Sequence, residues 1–151
     1  MSAEKELVRR FVAMVNAHDL SDLREVLAED VTEAGPIVVD APSGGLDAFR
    51  AGWQMMLGSF PDLAVTIDEI VAEPGKVAAT ISLRATNTGH YRRGEATGRH
   101  AGWRGFVVAH IRDGRISRLD AMTDRFGMLQ QLGIIGDDDE LAAPRQPSHH
   151  G

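Results

Sequence analysis

Apolar positions near the start of the chain recur at spacings of three and four: Leu7, Val8, Phe11, Val12 and Val15, with Glu4, Lys5, Arg9 and Arg10 elsewhere on the wheel. That period predicts an amphipathic helix. Asn16-Ala17-His18-Asp19 breaks it. Ser21 then suits the cap of a short second helix, with Leu23, Val26 and Leu27 on its apolar side and an end near Glu29-Asp30. Val31 to Val39 reads as extended chain interrupted at Gly35-Pro36, and Ala41-Pro42-Ser43-Gly44-Gly45 is turn chemistry. A third helix starts near Leu46, with Phe49, Trp53, Met56, Leu57 and Phe60 on one face and Pro61 past its end.

From Leu63 the period changes to two: Leu63, Val65 and Ile67 alternate with Ala64, Thr66 and Asp68, which predicts a half-buried strand. Pro74-Gly75 marks a turn before a second strand, Val77 to Ala85. Residues 87–102 form a long connection, and Trp103 to Arg112 is a third strand. Asp113-Gly114 is a hairpin signal leading to a fourth strand from Arg115 to about Met122. Phe126 to Leu132 closes the pattern with a short helical segment.

Helices first and a meander of strands afterwards is an α+β order, not alternating βαβ. The expected architecture is a cone: a curved antiparallel sheet wrapped around three N-terminal helices, open at one mouth to a small molecule. Residues 1–136 make one domain, and residues 137–151, acidic and then rich in Pro, Gln, Ser and His, read as a poorly ordered tail.

Composition narrows the chemistry. The 151 residues are 43% hydrophobic and 25% charged, enough to bury one core. The absence of Cys excludes disulfides, thiolate metal sites and a cysteine nucleophile. A formal charge of −6 and a pI near 5.4 argue against nucleic acid as a main partner. No apolar run approaches the roughly 20 residues of a membrane span, and the charged N-terminus has no apolar signal core, so the cytoplasm is the expected compartment.

Several stretches carry a family resemblance. Phe60-Pro61-Asp62-Leu63, Thr86-Asn87-Thr88-Gly89, Ala96-Thr97-Gly98-Arg99, Arg112-Asp113-Gly114-Arg115-Ile116 and the closing Asp124-Arg125-Phe126-Gly127-Met128-Leu129-Gln130-Gln131-Leu132-Gly133 resemble the SnoaL-like polyketide cyclases of the NTF2-like superfamily. The resemblance covers nearly all of residues 5–133. It implies the cone fold and a cyclase or isomerase acting on a polyketide-like or terpenoid intermediate of secondary metabolism. It also implies no metal, no organic cofactor, a small hydrophobic polycyclic or polyene substrate, and a homodimer formed through the outer face of the sheet. Relatives isomerise, open epoxides, dehydrate or only bind, so a non-catalytic ligand-binding module is the alternative.

The chain departs from the family at the chemistry. Aligned on Asp113-Gly114 and Asp124, the family's catalytic aspartate falls at Ala121 and its partner histidine at Val107, neither of which can move a proton. The family's Thr-His-Thr-Gly reads Thr86-Asn87-Thr88-Gly89. Either a one-residue bulge brings Asp120 into the missing place, or another carboxylate serves, or the pocket steers a reactive substrate by shape alone.

Proton transfer at carbon needs a base in a dry pocket. Three carboxylates are candidates for the catalytic role. Glu33 falls where the family pattern faces the cavity, and is otherwise a solvated carboxylate. Asp40 follows Ile37-Val38-Val39, and is otherwise a turn residue. Asp120 shares strand parity with Ile116 and Arg118, and is otherwise an ion-pair partner on the outer sheet. His110 shares that parity, so a His–Asp couple across adjacent strands is feasible. Asp124 matches a family position but suits a helix cap. Trp53, Trp103 and Met122, with Met55, fit an apolar, polarizable wall for substrate, or plain core. Asn87 can donate an amide hydrogen bond to a carbonyl or hold a turn. His90, Arg92, Arg93, Arg99 and His100 form a basic cluster that either meets an anionic substrate or is a solvated loop. His149 and His150 have no further ligands at metal-site spacing, and no metal site is expected.

Overall fold

The computed structural model describes residues 2–34, 44–90 and 95–136. The first helix, α1 (Ala3–Asn16), opens on Ser2, whose hydroxyl accepts the Lys5 N–H, and buries Val8, Phe11 and Val15. Its end is tied down by side chains standing in for a strand. The Asn16 amide accepts from Val65 N at 2.7 Å and donates to Val65 O at 2.9 Å, and His18 Nε2 lies 3.0 Å from Leu63 O. These bonds satisfy an edge strand's backbone groups that would otherwise face solvent or another chain.

The expected second helix is only a single 3-10 turn at Leu23–Glu25. Leu23, Val26 and Leu27 are buried as predicted, but Val26 O is taken by Ile116 N and β1 (Leu27–Ala34) begins at once. Sheet pairing wins over helix propagation because a short helix has few of its own bonds to offer. The next helix, α2 (Gly45–Ser59), carries the apolar face read from the sequence, and packs on β1.

The remaining strands follow the alternating pattern closely: β2 (Ala64–Glu73), β3 (Lys76–Thr86), β4 (His100–Arg112) and β5 (Arg115–Thr123). Asp113 and Gly114 both take positive φ, 52° and 74°, in the β4–β5 hairpin. A third helix, α3 (Arg125–Gln131), closes the described fold, with Asp124 Oδ1 accepting the Gly127 N–H at 2.9 Å. The three helices are therefore two before the main meander and one after it.

The sheet order is β1-β5-β4-β3-β2. It is mixed, not purely antiparallel: β1 pairs parallel to β5, because β1 precedes α2 and the meander returns to its side. The inner face carries Val77, Ile81, Leu83, Trp103, Ala109, Ile116 and Leu119 against α1 and α2, and forms one core with them. Asp40, with Gly35–Ser43, lies outside the described residues, as do Arg92, Arg93, the 137–151 tail and its paired histidines.

Candidate functional site

Register decides which side chains meet inside the cone. Val107 of β4 and Ala121 of β5 are direct cross-strand partners, as are Ala109 and Leu119 one step further down. Leu119 is 2% exposed, which marks this face as the inner one. In β1 the partner of Leu119 is Glu33. Glu33 therefore points to the same side as Leu119 and Ala121, one strand away from the position where the family pattern puts an aspartate. Val31, two residues earlier, is buried on that face, and Thr32 between them is exposed.

Glu33 is partly buried, and no hydrogen bond or ion pair holds it among the described residues. Burial alone acts on it and pushes its carboxyl up to about 7. Desolvation disfavours the ionised form, and nothing nearby offsets it.

Trp53 comes from α2 and packs against the core. Its ring centroid is 5.6 Å from that of Phe11 and 6.5 Å from that of Phe49. Its Nε1 is buried and has no hydrogen-bond partner among the described residues. Trp103 is on the inner face but only 4% exposed, with its ring 5.8 Å from Phe60. The small residue beside it does not leave open space: a Cβ on Gly105 would sit 2.6 Å from Thr123 Cγ2 and 2.8 Å from Met122 O. Gly105 lets β5 approach closely.

Asp120, His110 and Met122 lie on the opposite face. His110 faces out by regular alternation with the buried Ala109, and a bulge in β5 explains Asp120 and Met122. Ile111 pairs with Ile116, but His110 already pairs with Arg118, so Ser117 is an extra residue. Ile116 and Leu119 both turn inward, and Arg118, Asp120 and Met122 turn outward. A bulge, one of the alternatives left open by the sequence, is present, but it carries Asp120 away from the interior. The His–Asp couple forms there, with Nε2 and Oδ2 at 3.4 Å, and Arg118 Nε donates to Asp120 Oδ1 at 2.7 Å. Met122 is 60% exposed beside its cross-strand partner Phe106 at 65%.

Asn87 is fully buried and its amide is engaged by its own loop. Nδ2 donates to Gly89 O at 2.7 Å, and Oδ1 accepts from Thr97 N at 3.0 Å and from the Thr97 hydroxyl at 3.2 Å. Of the two sequence readings, loop holder and carbonyl donor, these bonds serve the first. Ser59 at the end of α2 donates to His90 O and accepts the Gly89 N–H through its own carbonyl, fastening this loop to the helix.

A cleft that no sequence pattern signals opens between the 3-10 turn, the start of β1 and the β4–β5 hairpin. It has a volume of about 470 Å³ and is lined by Arg24, Glu29, Asp30, Arg112 and Arg115 among others. Arg112 is paired with Asp30 at 2.6 Å, and Arg115 Nε donates to Arg24 O at 2.8 Å, so its cations are largely committed. Among the described residues no group of three or more His, Asp or Glu converges as metal ligands would. Periodicity gives Phe11 and Phe49 only as core positions, and their contact with the Trp53 indole is a tertiary fact.

Helices laid into one face of a curved mixed sheet, with an ionisable group on the inner wall, define the NTF2-like α+β cone. A model described as SnoaL-like polyketide cyclase matches residues 5–132, and the chain belongs to that family. The family implies a small polyketide-like ligand. Among solved structures the chain is similar to IdmH from Streptomyces antibioticus, with 29% identity, 86% of this chain and 98% of that one covered, and a TM-score of 0.75. TsrD from Streptomyces laurentii matches at 23% identity over 88% of this chain and 96% of its own, with a TM-score of 0.79. A SnoaL-like polyketide cyclase from Agrobacterium tumefaciens matches at 17% identity, 88% and 100% coverage, and a TM-score of 0.74. None of the curated proteins compared matches the chain. No described helix is long and apolar enough to cross a membrane.

Proposed function

We propose that this chain is a cytoplasmic, cofactor-independent cyclase or isomerase of polyketide-like or terpenoid intermediates, with Glu33 as its general base. The observation that carries the reading is the position of Glu33: a carboxylate on the inner wall beside Leu119, unpaired among the described residues, with burial raising it to about 7. A base poised near the working pH combines a usable ionised fraction with enough strength to take a proton from carbon.

The ionised Glu33 removes a proton next to a carbonyl. The C–H electron pair becomes the enolate double bond, and the carbonyl pair moves onto oxygen. The enolate carbon then attacks a second carbonyl of the same molecule, forming the ring bond. The carboxylic acid returns its proton to the new alkoxide. The apolar wall around Trp53 keeps water away and holds the two carbons in reach.

The test uses 2-tetralone as a surrogate, following exchange of its α-protons in heavy water by NMR. Exchange is expected to rise with pH through an inflection near 7 and to fall at least about 100-fold in Glu33→Gln. Unchanged exchange in that variant overturns the assignment. A second reading, catalysis by shape alone, draws on Val107 and Ala121, which carry no proton. It calls for a ring closure whose rate is flat from about pH 5 to 9.

The same reading includes a homodimer. Phe106 and Met122 are paired on the outer face, with Val71 across the sheet also exposed. Apolar side chains gathered on one sheet face, rimmed by Arg104 and by the Arg118–Asp120–His110 cluster, suit burial against a second copy of the chain.

A further inference from the structure

One polar row crosses the outer face of the sheet. Strand pairing lines up Glu73 of β2, Lys76 of β3, His110 of β4 and Arg118 of β5, in that order. Lys76 precedes the buried Val77 and His110 follows the buried Ala109, so both side chains point outward. Asp120 lies beside the row on the same face. Arg118 Nε donates to its Oδ1 at 2.7 Å, and His110 Nε2 is 3.4 Å from its Oδ2. Arg112, the next outward residue of β4, is paired with Asp30 of β1 at 2.6 Å. Arg115, its cross-strand partner, is held at Arg24 O, toward the cleft. Among the described residues, the ionised groups around His110 are thus Lys76, Arg112 and Arg118 against Glu73, Asp30 and Asp120. Three cations meet three carboxylates, and the imidazole sets the net charge.

This row borders the apolar patch directly. One step along the sheet Val71, Ala78 and Val108 are cross-strand partners, and one step further Phe106 pairs with Met122. His110 is four residues from Phe106, roughly 13 Å in a strand. An interface of ordinary size buries about 800 Å² on each partner, a disc of roughly 16 Å radius. A second copy centred on Phe106 and Met122 therefore covers His110. With the imidazole neutral, the covered cluster is balanced. With it protonated, a cation stands between Lys76 and Arg118, and the carboxylate beside it, Asp120, already answers Arg118. Like charges opposite one another on a sheet repel, and a second copy removes the water that screens them.

We propose that His110 makes the homodimer pH-sensitive: two copies pair through the outer face while the imidazole is neutral and separate when it takes a proton. The inference rests on the homodimer of the proposed reading and adds its control. The dimer excludes a proton that the monomer accepts. Association therefore weakens as pH falls through the range where histidines ordinarily titrate, around 6.5. Each copy contributes one histidine, so the dependence is steeper than for a single group.

The test measures dissociation constants by sedimentation at pH 7.5 and 5.5. The wild-type dimer is expected to be at least about tenfold weaker at pH 5.5, with about 100-fold the limit when neither histidine of the dimer binds a proton. His110→Gln keeps a neutral polar side chain and should dimerise equally at both pH values. Glu33 titrates in the same range but is present in both proteins, so the difference between them belongs to His110. If His110→Gln does not fold, the imidazole titration of His110 in the wild type, followed by NMR, decides: its midpoint should rise on dilution. Equal wild-type dimerisation at the two pH values, tighter association in acid, or a pH dependence retained in His110→Gln overturns the inference and leaves the dimer standing. A wild type that is monomeric at both pH values, or a dimer that survives Phe106→Glu, removes the outer-face dimer and the inference together.

Discussion

In the proposed reading, Glu33 ties function to stability through one proton. The folded protein holds that proton up to about pH 7, whereas the unfolded chain releases it near 4.5. Folded protein therefore binds more protons between these values, and stability falls as pH rises through that window. The loss is absent below about 4.5 and complete above about 7. Glu33→Gln keeps the shape and removes the charge. It should unfold at higher denaturant than wild type at pH 8, by at most about 3 kcal/mol, and match it at pH 4. Denaturation curves at the two pH values check this. A residue that stabilises the fold when removed is hard to explain as structure, which is why the two measurements on one variant are informative together. The position of Glu33 after Val31 in a short extended run was legible as a candidate. Its isolation from every cation among the described residues was not, because that depends on what β5 and α2 bring to its side.

At the scale of elements, Asn87 ties together the two described ends of the long β3–β4 connection. Asn87 bridges Gly89 and Thr97 from a fully buried position. Asn87→Ala would strand those backbone groups and should lower unfolding free energy by about 2–3 kcal/mol, measured by chemical denaturation. Gly89 has a related duty: a Cβ there would collide with the Gly58 carbonyl, so Gly89→Ala should detach the loop from the end of α2. The expected readout is faster proteolysis within residues 87–99. The Asp124 cap was readable from its place before an apolar helical run, and Asp124→Ala should cost about 1 kcal/mol, with the same denaturation assay. The second helix was not readable as a 3-10 turn. Leu23, Val26 and Leu27 have helical spacing, but Ile116 N claims Val26 O, and that partner is 90 residues away.

For the whole molecule, the outer face of the sheet predicts its assembly. Phe106→Glu places charge in the middle of the apolar cluster and should give a monomer by sedimentation, with the far-UV spectrum unchanged. A wild-type protein that sediments as a monomer at tens of micromolar would remove the dimer. Because the Glu33 wall is on the other face, the monomeric variant should keep its α-proton exchange activity.

The order of elements, their periods, the hairpin at Asp113-Gly114 and the cap at Asp124 belong to the sequence, because each depends on neighbours a few positions away. Facing is different. Parity along β5 groups Asp120 with the buried Ile116, and only the extra residue at Ser117 reverses it. A single inserted residue turns every later side chain to the other side of the sheet, and nothing local announces it. Which carboxylate looks into the cone was settled by pairing between strands distant in the chain: Glu33 inward opposite Leu119, Asp120 outward beside His110.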